Sequence, residues 1–210
     1  MSRMIHIVDD DDQVRESLGL LLETSGHVVT RFVSGDAYVA ARPELEGAVV
    51  ILDVRMPGRD GVETLEHIRK RSARTPVIMI SGHGDIPLAV RAMRAGADDF
   101  VEKPFVASRI LAAIDRLGEV ADGKVENDSI ENKKMEDDAA IDMSDPLEAL
   151  TPREREVALA VADGKPNKIV AHELGISIRT VETHRARLMS KLGLSSLPEL
   201  VRLVIARSPA

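Results

Sequence analysis

The sequence predicts an α/β domain built on a doubly wound, five-stranded parallel sheet, followed by an all-α domain of four short helices. Through residue 118, short β-branched runs alternate with segments of helical period. That is the grammar of a parallel sheet with right-handed crossovers and helices on both faces. From residue 147 onward the strand-like runs cease, and four helical segments follow one another with glycines between them. Residues 119–146 separate the two regions with 3 basic against 10 acidic residues and few apolar ones, a linker composition. The expected organisation is therefore 1–118, an acidic linker over 119–146 that is part helical at its start, and 147–210.

Five strands are expected at 5–8, 28–32, 49–52, 77–80 and 100–101, with helices at 12–25, 35–41, 61–71, 86–95 and 107–117. In the first helix Val14, Leu18, Leu21 and Leu22 share one face. In the last, the spacing of Ile110, Ile114, Leu117 and Val120 favours continuation, while Gly118 and Gly123 oppose it. The C-terminal region opens on a helix start, with Thr151 as N-cap, Pro152 in the first turn and Glu154 placed for a capping box. That helix runs to about Ala162, where Asp163-Gly164 breaks it; a second fits 167–174 and ends at Gly175. Ser177 caps a third helix to about Leu192, and a fourth runs from Ser196 or Leu197 through Arg207. Two short helices joined by a tight glycine turn suggest a helix-turn-helix.

Composition removes several function classes. Apolar residues are 44% and charged residues 30% of 210, enough to bury a core. No apolar run has the roughly 18 residues of a membrane span, and the acidic run from Asp9 comes too early for a signal peptide. The expectation is a soluble, cytoplasmic protein without a membrane partner. Cysteine is absent, which excludes disulfides, thiolate nucleophiles and cysteine-bound metals. Aromatics at 2% leave little to stack on unpaired bases. The net charge of −7 is uneven: residues 1–118 hold 15 basic against 18 acidic residues, and 147–210 hold 10 against 7. Only the last region is basic, which hints at a polyanion partner there.

The chemistry gathers at strand ends, where open parallel sheets bind ligands. The first strand ends in Asp9-Asp10, the third in Asp53, the fourth in Ser81 and the fifth in Glu102-Lys103-Pro104. Brought together, Asp9, Asp10 and Asp53 form a carboxylate cluster that a hard cation, Mg²⁺ or Mn²⁺, would neutralise. Lys103 could grip a phosphoryl oxygen and Ser81 another. Taken singly these features are ordinary: acidic residues favour helix N-termini, and Asp or Lys-Pro after a strand is common turn chemistry. Their joint order along the chain gives them weight. In the C-terminal region, Arg179, Arg185, Arg187 and Lys191 make the third helix basic, with Val181, Leu188 and Leu192 for its core. A major-groove helix has this character, and so has a solvated basic face of a small bundle.

Residues 1–118 resemble the receiver domain of two-component response regulators, a flavodoxin-like fold. The resemblance rests on Ile7 to Asp11, Leu52 to Gly58, Asp60-Gly61, Ile80 to Asp85, Ala92 to Ala97 and Asp99 to Phe105. It implies that Asp53 accepts a phosphoryl group from a sensor histidine kinase. It also implies that Asp10, Asp53 and the Arg55 carbonyl ligate Mg²⁺, with Asp9 acting through water. Lys103 would bind the acyl phosphate, Ser81 would reach its other oxygen, and Phe100 would swing inward when Ser81 moves. Many relatives carry Thr where Ser81 stands, and the hydroxyl is kept.

Residues 150–205 resemble the four-helix DNA-binding domain of LuxR- and NarL-type regulators. That likeness is carried by Leu150 to Glu154, Gly164, Asn167 to Ala171, Leu174 to Ser177, Arg179 to Arg185 and Lys191-Leu192. Both regions look most like the FixJ subgroup. Glu182, Thr183 and Ala186 would face base edges, while Asn167, Lys168, Arg179, Thr180, Arg185, Arg187 and Lys191 would meet phosphates. Glu182 stands where many NarL-type relatives have lysine; a glutamate can accept from a cytosine amino group. The implied function is a phosphorylation-controlled transcription factor acting on double-stranded promoter DNA, with RNA polymerase as a further partner. It would catalyse only its own Asp phosphorylation and dephosphorylation. Phosphorylation would pair two receivers through Ile86, Val90 and Arg94 into a homodimer. Two rival readings are a metal-dependent phosphohydrolase using Asp53, and a regulator whose receiver only dimerises.

Overall fold

The computed structural model describes residues 2–82, 86–121, 146–194 and 196–205. They belong to two compact units, one centred on a sheet and one helical. The sheet is formed by β1 (Met4–Val8), β2 (Val28–Phe32), β3 (Ala48–Asp53), β4 (Val77–Ser81) and β5 (Asp99–Glu102). All pairs are parallel and the order is β2-β1-β3-β4-β5, the doubly wound arrangement the alternation predicts. The intervening helices are α1 (Asp12–Thr24), α2 (Gly35–Ala41), α3 (Gly61–Arg71), α4 (Ile86–Arg94) and α5 (Ala107–Ala121).

Every residue of β3 and β4 is buried, because both faces of an inner parallel strand are covered by helices. Side chains alternate between those faces. Ile5, Ile7, Val49, Ile51, Ile78 and Ile80 pack with Leu18 and Leu22 of α1 and Ile110 and Ile114 of α5. Three strands run one residue further than their β-branched stretches, to Asp53, Ser81 and Glu102. The backbone ladder continues through polar residues: Val54 N–H donates to Ile80 O at 2.9 Å and Lys103 N–H to Ser81 O at 2.6 Å. Helix starts follow capping chemistry. Asp11 Oδ1 accepts from the amides of Gln13 and Val14, and Asp60 with Glu63 forms a capping box on α3.

Helix α5 passes Gly118 and continues to Ala121. A mid-helix glycine costs only about 1 kcal/mol, and here its bareness has a use. A Cβ at Gly118 would collide with the Arg3 guanidinium. The first residues assigned to the linker, 119–121, are thus helical.

After α5 the described chain resumes with a 3-10 turn at Pro146–Ala149, which sequence patterning did not reveal. Then come α6 (Pro152–Ala162), α7 (Asn167–Glu173), α8 (Ile178–Lys191) and α9 (Leu197–Ile205). The capping box of Thr151 and Glu154 is present, and Ser177 Oγ accepts from Thr180 N at 3.1 Å to start α8. Gly175 and Gly193 adopt φ of 64° and 65°, the left-handed turn that lets one helix end and another begin. Val157, Val161, Val170, Val181, Leu188 and Leu200 form the core. The expected end of the last helix at Arg207, and His83 near Ser81, lie outside the described residues. Among the described residues no helix is long and apolar enough to cross a membrane.

Candidate functional site

The strand order places the ends of β1, β3, β4 and β5 side by side. Asp9 directly follows β1, Asp53 closes β3, Ser81 closes β4 and Lys103 follows β5. Lys103 Nζ donates to Asp53 Oδ1 at 2.6 Å and to Asp9 Oδ2 at 2.8 Å. Asp9, Asp53 and Ser81 are 0%, 5% and 1% exposed. The remaining carboxylate oxygens are held by backbone: Asp53 Oδ2 accepts from Arg55 N at 2.7 Å, and Asp9 Oδ1 from Asp11 N at 2.9 Å. The Ser81 hydroxyl is buried and has no hydrogen-bond partner among the described residues.

Burial pushes the Asp53 carboxyl above its ordinary value, outweighing the opposite pull of Lys103. Burial also works against the Lys103 ammonium, but its hydrogen bonds to Asp53 and Asp9 prevail and hold its proton more tightly. Lys103 therefore stays cationic between two buried carboxylates.

The expected cluster of Asp9, Asp10 and Asp53 forms only in part. Among the described residues no group of three or more acidic or histidine side chains is gathered to hold an ion. Asp9 turns inward and Asp10 is exposed, since successive side chains on an extended chain point to opposite sides. The donor chemistry nevertheless fits a hard cation. The strand ends offer oxygen donors beside two buried carboxylates that share Lys103, and among the described residues the Ser81 hydroxyl has no partner.

One supporting residue, Arg15, escaped the sequence reading, and another, Gly61, was named there without this role. Arg15 is 7% exposed on α1, and its Nη1 donates to the Asp9 carbonyl at 2.7 Å, while Nη2 pairs with Asp12. The signal was an arginine at an inward position, in phase with Leu18 and Leu22. Gly61 opens α3 directly under β3, where a Cβ would run into the Asp53 carbonyl oxygen.

Phe100 is half-buried on the edge strand β5, in register with Met79. On α4, Arg94 is exposed, Ile86 half-buried and Val90 only 2% exposed.

On α8, Val181 and Leu188 turn into the core, whereas Arg179, Glu182, Thr183, Ala186 and Arg187 form an exposed stripe. Lys168 on α7 is also exposed. Several of the expected contact residues are engaged within the unit. Asn167 Oδ1 accepts from Arg185 Nη1 at 3.2 Å, the Thr180 and Ser177 hydroxyls lie 2.8 Å apart, and Thr183 Oγ1 donates to Arg179 O. Lys191 Nζ donates to Glu154 Oε2 at 2.7 Å.

Comparison with known proteins agrees with both halves of this geometry. Residues 5–115 match the response regulator receiver domain, and residues 148–204 match the luxR family of bacterial regulatory proteins. The chain is 44% identical to the transcriptional regulatory protein FixJ of Azorhizobium caulinodans, covering 96% of this chain and 91% of that one. It is 43% identical to FixJ of Rhizobium meliloti, over 96% and 95%. The crystal structure of full-length FixJ from B. japonicum superposes with a TM-score of 0.56 at 39% identity, covering 98% of this chain and 97% of that one. With a receiver at one end, a luxR-type unit at the other and relatives alike over nearly the whole length, this chain belongs to the FixJ-like transcriptional response regulators.

Proposed function

We propose that Asp53 is the phosphoryl acceptor of this regulator, and that its phosphorylation drives dimerisation and promoter binding in the cytoplasm. The observation that carries this reading is Lys103 bridging Asp53 and Asp9 beside the Ser81 hydroxyl, which has no hydrogen-bond partner among the described residues. An Asp53 oxygen attacks the phosphorus of a kinase phosphohistidine. The P–N bond breaks as the O–P bond forms, and the histidine keeps the electron pair. Asp10, Asp53 and the Arg55 carbonyl would hold Mg²⁺ or Mn²⁺, with Asp9 acting through water, and the bound ion would neutralise charge on the phosphoryl oxygens. Lys103 turns from the carboxylates to one of those oxygens, and Ser81 donates to another. This uses the buried hydroxyl for the first time and draws Phe100 inward behind it. The protein catalyses only its own phosphorylation and dephosphorylation.

The exposed stripe of α8 supports a DNA-reading role for this helix. Glu182, Thr183 and Ala186 face base edges, while Asn167, Lys168, Arg179, Thr180, Arg185 and Arg187 address phosphates or position those that do. In this reading the receiver occupies 1–118 and the DNA-binding unit 147–210, joined by 119–146. Two receivers meet at the α4 face around Ile86, Val90 and Arg94, and RNA polymerase is met at the promoter.

Light scattering after size exclusion tests the switch, with and without beryllofluoride and Mg²⁺, on the natural chain and Asp53→Ala. A shift from monomer to dimer in the natural chain alone supports the reading. The same mass in all four samples would remove dimerisation from the mechanism.

A further inference from the structure

Helix α6 begins with two neighbouring residues, one holding the end of α7 and the other the end of α8. Arg153 Nη2 donates to the carbonyl of Leu174, the residue that closes α7 and opens the turn leading into α8. Glu154 Oε2 accepts from Lys191 Nζ at 2.7 Å, and Lys191 is the last residue of α8. The Glu154 side chain is 4% exposed and that of Lys191 41%, so the ammonium reaches from the surface onto a buried carboxylate. The same Oε2 accepts from Thr151 N at 2.9 Å. Glu154 thus caps its own helix and anchors another one 37 residues away. Each charge also suits its place: an anion at the start of α6, a cation at the end of α8.

A lysine in this position has two possible uses, a DNA phosphate or the buried carboxylate. Turning it to a phosphate would strip Glu154 of its cation, and a buried charge left without its partner is costly. The Glu154 carboxyl is held at about 2, the hydrogen bond from Lys191 being the largest cause. We propose that Glu154 and Lys191 are positioning residues, a brace that sets the pose of α8 against base edges, and that Lys191 acts through Glu154 rather than on phosphate. This rests on the DNA-binding reading of α8.

The test uses the full chain with beryllofluoride and Mg²⁺. Its probes are a duplex selected by the natural chain from a random pool, and poly(dI-dC) as non-specific DNA. Affinities are measured across a range of KCl concentrations, at a temperature where circular dichroism shows every variant folded. Lys191→Met and Glu154→Gln (which keeps the capping acceptor) are expected to weaken binding to the selected duplex by about tenfold, the scale of one mispositioned base contact. Affinity for poly(dI-dC) and the salt slope should stay unchanged, and Lys191→Arg should restore the selected-duplex affinity. Lys168→Met serves as the contrast, with the slope falling by about 0.9 as one phosphate contact is lost. A similar fall in slope for Lys191→Met, with poly(dI-dC) weakened too, would place Lys191 on a phosphate and overturn the brace. Unchanged binding in Lys191→Met would overturn it as well, leaving the pair a stabilising role only. If Glu154→Gln does not fold, Lys191→Met against Lys191→Arg decides alone. A natural chain that selects no duplex would sink the DNA-binding reading itself, and the brace with it.

Discussion

Lys103 Nζ lies 2.6 Å from Asp53 Oδ1, joining residues 50 apart in sequence at the mouth of the sheet. Since Asp9 shares the same ammonium, removing it leaves two buried carboxylates facing each other. Lys103→Met should therefore destabilise the sheet unit by about 3 kcal/mol at neutral pH. The loss should shrink on acidification. Burial already raises the Asp53 carboxyl, and a carboxyl raised in the folded state costs stability above its folded value and recovers it as pH falls through that value. Urea unfolding at several pH values reads this, and a deficit constant with pH would show that the lysine does not serve those carboxylates.

Gly61→Ala tests the close approach under the acceptor. The added Cβ meets the backbone of Asp53 and Val54 rather than a movable side chain, so β3 or α3 must shift. A cost of about 1–3 kcal/mol is expected, with Asp53 displaced from Lys103. Beryllofluoride binding should weaken in the same variant. Full stability together with undiminished binding would mean that α3 yields without disturbing the site.

What could be read along the chain was what local chemistry decides. Thr151, Pro152 and Glu154 announce a helix start within four residues, and the β-branched runs announce buried strands. Where the chain makes a single contact across many residues, the pattern was silent. Nothing near Lys191 marks Glu154 as its partner, and nothing near Asp9 says that Arg15 will bind its carbonyl. Asp9 and Asp10 are the same residue type; only the phase of the pleat sends one inward and the other to solvent. Gly118 reads as a helix breaker until Arg3 is found lying across it.

His6 offers a pH-dependent check on the other face of the sheet. It is 1% exposed in β1, its Nδ1 lies 3.3 Å from Tyr38 Oη, and its ring packs edge-on to Phe32 and Tyr38. Burial, with a smaller push from the Arg71 cation, lowers its titration to about 4. The fold therefore favours the neutral ring. As pH falls from the unfolded value near 6.5 toward 4, protons bind the unfolded chain first and stability drains by up to about 3 kcal/mol. His6→Leu removes this component. Between about pH 7 and pH 4.5 the urea midpoint of the natural chain should fall further than that of the variant. Parallel curves would show that His6 is not the titrating group.

Glu182 is the sharpest test of how α8 reads DNA. It is exposed on the stripe that also carries Arg179 and Ala186, and an acid among bases repels any phosphate it nears while suiting the amino group of cytosine. Glu182→Ala should relax discrimination at one base pair by about 1–3 kcal/mol. Overall affinity for non-specific duplex should rise slightly, because a negative charge has left a basic face. Selection from a random pool by the natural chain and the variant compares the two preferences position by position. Loss of a cytosine preference at a single position would identify the contact. Identical preferences in both would assign Glu182 to spacing the helix from the backbone, with base reading left to Thr183 and Ala186.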